Sequence, residues 1–366
     1  MKTQTGNRTP ILQSRVNEYL LITLISFAAS VSGTRLFLEL TGYPQLGGGE
    51  LHIAHVLWGG LFLFVGSLLP LTLTNRWALD LSALFSGLGV GLFIDEVGKF
   101  ITQSNDYFYP SAAPIIYAFF LLTVLLYVQV KRPREQNARS YLYNAFQDLE
   151  ELLDNDLSIN EHRAILKNLK SAVAYSKQPQ LSDLAQTLHE YLINRELQLV
   201  PHKPSFIQQW VLRIRVMEAK WFSKSKMRMI LVISLIAWGI YSIMGPWTLL
   251  SSLENSSSLN NVLEQLFSNR VVRNASGLTI FQARVALEGA LGGISLICGI
   301  LLLFRRESFS IRIGIANLLV TLTIANLLLF YFDQFSTILN ASIQFLILVG
   351  LIRYQSRFLS KVPLKN

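Results

Sequence analysis

The sequence predicts an all-α, polytopic membrane protein with about eight transmembrane helices and a cytosolic helical domain between the fourth and the fifth. Three observations carry this. Of 366 residues, 51% are hydrophobic and only 15% charged, where a soluble protein carries about 25% charged residues. The charges collect between long apolar runs and do not alternate with them. Of the 32 Lys and Arg, all but Arg35, Lys99, Arg270, Arg273 and Arg284 fall on one side of the predicted helices. That asymmetry is the positive-inside bias, and it places both termini and residues 131–227 on the cytosolic side of the cell (inner) membrane. It also accounts for the net charge of +9, so the basic balance points to topology and lipid and not to nucleic acid.

The first span covers about Tyr19–Leu40. The basic N-terminus before it lacks a small-residue cleavage site, so the span reads as an uncleaved helix. Arg35 and Glu39 near its outer end are spaced for an i,i+4 ion pair. A Gly-rich loop leads to the second span, about Leu51–Leu73, which Pro70 can kink. After the tight turn Asn75–Arg76, the third span runs over about Trp77–Phe100, where Gly87, Gly89 and Gly91 permit close helix contact. The outer loop TQSNDYFYPSAAP reads as an aromatic belt, and the fourth span, about Ile115–Val130, closes on the basic stop KRPR.

Residues 131–227 change character. They are polar and helical in period, with apolar stripes at Leu142, Phe146, Leu149 and Leu153 and at Leu181, Leu184, Leu188 and Leu192. Ser158 and Glu161 form a capping-box pattern that starts a helix between them. The segment Phe206–Arg228 sets Trp210, Ile214, Met217 and Trp221 on one face among many Lys and Arg, the pattern of a helix lying on anionic inner-leaflet lipid. The domain as a whole is suited to a cytosolic protein partner.

Four more spans follow: about Met229–Leu250, Val285–Phe304, Ile311–Phe332 and Thr337–Ile352, with a polar outer segment and a helix at Leu259–Phe267 after the first of them. The chain thus divides into 1–130, 131–227 and 228–366. HVLWGGLFLFVG and VALEGALGGISL open corresponding helices of the two membrane halves, and IDEVGKF and YFDQF end the next ones. Halves of four helices share an orientation, so this reads as a 4+4 parallel repeat. The single cysteine, Cys298, allows no internal disulfide.

The polar residues of the second and third spans form the candidate site. His55 sits 20 residues before Asn75, and Asp95 19 after Arg76. At 1.5 Å per residue both stand about 28–30 Å from the turn, near the outer edge of the hydrocarbon. His52 and Lys99 stand one turn higher. The same counting brings Arg35 and Glu288 close to this plane. Asp95 and Glu96 are neighbours and point about 100° apart on a helix, so only one of them is expected to face the histidines. The pattern H-x-x-H-x-x-W-G followed by D-E-x-G-K-F, within residues 50–117, resembles an uncharacterised family of bacterial multi-pass membrane proteins; that resemblance implies a topology and a motif and no activity.

His52 and His55, at i,i+3, share a helical face, and with Asp95 they match in type a ligand set for a divalent metal such as zinc or iron. They also match a hydrogen-bonded, structural or proton-handling histidine pair, the reading that H-x-x-H, short and without a third ligand fixed in sequence, favours. No G-x-S-x-G, H-E-x-x-H or phosphate loop is present. Three functions stay open: transport of a small solute or ion through an outer-side cluster of His52, His55, Asp95, Glu96, Lys99, Arg35 and Glu288; a membrane-embedded metal or acid–base enzyme acting on a lipid-linked or periplasmic substrate; and a non-catalytic scaffold or sensor.

Overall fold

The computed structural model describes residues 9–42, 54–107, 109–131, 137–195, 197–201, 209, 212–213, 216–217, 220–253 and 275–359. His52, the Gly-rich loop, part of Phe206–Arg228 (Trp210 and Ile214 included) and the Leu259–Phe267 helix lie outside the described residues. The described residues are all-helical, 86% of them in helix, with no strand and one isolated bridge between Ser158 and Val200. The helices are α1 (Val16–Thr41), α2 (His55–Thr72), α3 (Arg76–Asp95), α4 (Val97–Ile101), α5 (Ala112–Lys131), α6 (Ala138–Leu153), α7 (Ile159–Tyr175), α8 (Pro179–Asn194), α9 (Lys224–Leu253), α10 (Ala275–Leu303), α11 (Glu307–Val320), α12 (Asn326–Asp333) and α13 (Thr337–Tyr354). A π turn, Thr321–Ala325, joins α11 to α12, and a 3-10 turn, Gln334–Ser336, joins α12 to α13.

Among the described residues, seven helical stretches are long and apolar enough to cross a membrane. The last, Glu307–Leu359, is 53 residues long, about 80 Å if straight. It is not straight. Gln334 takes φ 49° and ψ −133°, and the chain returns so that Leu351 packs on Gly314. The outsides of these helices are rich in exposed Leu, Phe and Ile, such as Leu57, Phe64, Leu71, Leu339 and Leu346, as lipid-facing surfaces require.

Two compact units divide the chain. The first comprises residues 1–30, 59–91 and 122–212, the second 31–58, 92–121 and 213–366. In the first, α6, α7 and α8 close over Leu142, Leu157, Ile165, Leu169, Ala185 and Leu192. The Ser158–Glu161 capping box forms as the pattern predicts, and a second one forms at Asn137–Ser140. Of the expected stripes, Leu142 and Leu192 are buried, while Phe146, Leu153 and Leu184 face outward. Arg76, at the start of α3, reaches into this unit. Its Nη2 donates to Asp148 (2.7 Å) and to the Gln147 carbonyl (2.9 Å), and its Nη1 lies 3.1 Å from Glu151 and 3.3 Å from Glu161. Also in this unit, α1 and α3 approach closely because Gly91 has no side chain: a Cβ there would meet Ser30 at 2.7 Å. Arg35 and Asp95 follow one turn later on the same two helices.

The second unit centres on Leu235, Leu302, Ile311, Leu318, Leu351 and Tyr354, all buried. Within it α9 starts earlier than its apolar run, since Lys224 and Arg228 both pair with Glu307 at the start of α11 (2.8 and 3.4 Å).

Candidate functional site

Asp95 ends α3, and the helix breaks at Glu96, whose φ of −91° and ψ of 9° fall outside the helical range before α4 resumes at Val97. That single interruption defeats the 100° spacing expected of neighbours on an intact helix. Both carboxylates now meet one imidazole. His55, the first residue of α2, places Nε2 3.0 Å from Asp95 Oδ2 and Nδ1 2.9 Å from Glu96 Oε1. The first contact is a hydrogen bond. The second has the distance of an ion pair without hydrogen-bond alignment.

Asp95 is fully buried, and both its carboxylate oxygens are engaged. Arg35 Nε donates to Oδ1 (2.6 Å), Tyr107 OH donates to Oδ2 (2.7 Å), and Arg35 Nη2 takes the Asp95 backbone carbonyl (3.0 Å). The Arg35 guanidinium, only 6% exposed, lies against two rings, 4.1 Å from the centroid of Tyr107 and 3.6 Å from that of Phe335. Its Nη1 is buried without an acceptor, an arrangement that the negative ring faces partly offset. Lys99 completes the group, its Nζ 3.5 Å from Glu96 Oε2.

The local sequence explains how Tyr107 arrives. Thr102 ends α4 in an extended conformation, its hydroxyl donates to the Gly98 carbonyl, and the Asp106 N–H donates back to it. Asn105 takes φ 52°, a left-handed turn that Asn tolerates well. The loop then folds back on Gly98, where a Cβ would meet the Asp106 carbonyl at 2.7 Å. The D-E-x-G-K-F motif therefore supplies two carboxylates, a glycine that admits the Tyr107 loop, and a lysine for Glu96. Burial, reinforced by the neighbouring Asp95 carboxylate, pushes the Tyr107 phenol far above its usual range, so it acts as a donor.

Of the residues selected from the sequence, Arg35, His55, Asp95, Glu96 and Lys99 come together. Glu288 does not join them. Its carboxylate lies 3.7 Å from Arg284, which also pairs with Asp333 at the end of α12. His52 lies outside the described residues, and the metal set that includes it is not defined by the others: among the described residues no group of three or more His, Cys, Asp or Glu is arranged to hold a metal ion. Tyr107 and Phe335 belong to the site and were not selected. Tyr107 sits in a loop that reads as an interfacial belt, and Phe335 lies three hundred residues from Arg35, in the YFDQF segment.

The charges nearly balance. Arg35 and Lys99 offset Asp95 and Glu96, and the His55 imidazole is added to that matched set. A carboxylate at each ring nitrogen suits the imidazolium, which has two N–H donors. No family model, no curated protein and no solved structure matches the chain.

Proposed function

We propose that this chain is a multi-pass transporter of a small solute or ion, in which the Arg35–His55–Asp95–Glu96–Lys99 cluster is a proton-titrating centre on the outer side. The observation that carries the reading is the single imidazole held between two buried carboxylates at the end of an apolar helix. Ionisable groups inside a membrane protein are costly, and where they occur they commonly serve ion pathways or proton relays. Loss of the His55 proton removes one positive charge from an otherwise matched set and weakens the hold on Asp95. The proposed topology is eight spans, with the fold-back at Gln334 separating the last two, and with both termini and 131–227 cytosolic. Lys and Arg asymmetry supports it. The organisation as two parallel membrane halves, 1–130 and 228–366, around the 131–227 domain is supported by a matching ion pair in each, His55–Asp95 and Arg284–Asp333.

Reconstitution tests the function. In liposomes with an entrapped pH dye, the wild-type chain should carry proton-coupled flux of its solute or ion, and His55→Asn should abolish the coupling while the protein still folds. Equal coupling in both overturns the proposal. Reporter fusions after Lys131 and after Asn255 should report opposite sides of the membrane. A second reading, a static clamp that only ties the helices together, is favoured by the complete engagement of Asp95. Under that reading His55→Asn lowers stability with no change in flux.

A further inference from the structure

We infer that the second half of the chain contains a separate site for one small monovalent metal cation, anchored by Glu288. A small, partly enclosed cavity lies among α9, α10, the π turn and α13, lined by Glu288, Ser242, Thr321, Gln344 and the ring of Trp238, among others. Four of these offer oxygen: a carboxylate, two hydroxyls and an amide carbonyl. Hard cations select such donors.

The electrostatics favour a guest of charge +1. Arg284 is shared by two carboxylates, closely with Asp333 and at 3.7 Å with Glu288. Two negative charges against one positive leave a net −1 in this triad. Behind the cavity wall the bundle is rich in acceptors. Asn317 donates its amide to the Leu291 carbonyl and to Ser295, and Asn326 donates to Gln344 Oε1. The carbonyl oxygens of both asparagines are left buried without a donor. Polar groups are seldom buried in this state unless a water or ion completes them.

The π turn adds an independent indication. Its first and last residues, Thr321 and Ala325, both line the cavity, and π turns inside α-helices occur frequently at functional sites. With α11 being 14 residues long, Thr321 stands about 21 Å along the span, well inside a hydrocarbon core of about 30 Å. Ionisable residues within the membrane commonly mark ion pathways, and coupling-ion sites of transporters commonly lie at interrupted helices. None of the residues lining the cavity belongs to the His55 cluster, and the inference does not rest on the function proposed for that cluster.

The experiment is thermal unfolding of the purified full chain in detergent, with NaCl titrated against choline chloride at constant ionic strength, together with equilibrium binding of radioactive Na⁺. The expected result is a saturable rise in the unfolding midpoint that follows Na⁺ and not choline, with about one ion bound per chain. Glu288→Gln should weaken Na⁺ by about tenfold or more, since a charged ligand is lost. His55→Asn should leave the Na⁺ response intact. If Glu288→Gln does not fold, Thr321→Val takes its place, and a several-fold weaker response is expected. A midpoint that responds equally to choline, a response to pH with none to Na⁺, or a variant at Glu288 or Thr321 that titrates as the wild type overturns the inference.

Discussion

Arg35 and Arg76 each gather acidic side chains from other helices, but by opposite rules. Arg35 meets one carboxylate, Asp95, whose remaining acceptor capacity goes to His55 and Tyr107, and rings cover the guanidinium. Arg76 meets three carboxylates, Asp148, Glu151 and Glu161, with little else to balance them nearby. Burial raises Asp148 and Glu151 above the usual carboxylate range despite the guanidinium. Among apolar helices every charge needs an individual partner, because no solvent makes up a shortfall. In a polar helical domain, a surplus of one sign is tolerated, because water screens it and a proton can neutralise it. Arg35 is thus matched in its apolar setting and Arg76 outnumbered in its polar one, while Arg284, shared by Glu288 and Asp333, is an exception among the apolar helices.

The largest effect should come from Asp95. Asp95→Ala strands Arg35, His55 and Tyr107 together, and breaking a buried pair costs about 3–5 kcal/mol, read as a lower unfolding midpoint in detergent. If the clamp acts as a unit, combining His55→Ala with Asp95→Asn should cost less than the sum of the single changes by about 0.5–3 kcal/mol. Strict additivity would show that the two residues are energetically independent. Arg76→Ala should cost about 1.5–3 kcal/mol, the range of hydrogen bonds to charged groups, and should appear as faster protease cleavage within α6–α8. Next comes Tyr107→Phe, about 1.5 kcal/mol for one donor lost to a carboxylate, with Phe335→Leu smaller still at about 0.5–1 kcal/mol.

The smallest effect, and the sharpest contrast with Asp95, is expected at Asp148. Its carboxyl is raised in the folded chain, so its contribution to stability is complete below the unfolded carboxylate range and is lost as pH rises through the folded value. At neutral pH Asp148→Asn should therefore be neutral or slightly stabilising. Mild acidification should stabilise the wild type relative to this variant. A large loss at neutral pH would mean that Arg76 depends on that one charge.

Much of this was legible beforehand. Counting residues from the Asn75–Arg76 turn put His55 and Asp95 at one height, and they touch. The same counting failed for Glu288, because height along a helix says nothing about the direction in which a side chain leaves it. The reach of both Asp95 and Glu96 to one ring was not legible either, since it depends on a one-residue break inside a run that reads as continuous helix. Tyr107 and Phe335 depend on loop geometry and on contacts across the chain, which leave no periodicity to detect. Arg76 looked like a turn residue because its three partners are scattered over α6 and α7. The Ser158–Glu161 cap was legible because its partners are local.

Three hundred positions of chain separate Arg35 from Phe335, the ring that lies closest to it. During synthesis the guanidinium enters the bilayer early, and an arginine there costs about 2.5 kcal/mol or more if left alone. Its counter-charge and its first aromatic cover, Asp95 and Tyr107, are complete by residue 107. Phe335 arrives more than two hundred residues later. Neutralisation thus comes long before enclosure, and the nascent chain carries an electrically quiet but unsealed arginine until Phe335 is made.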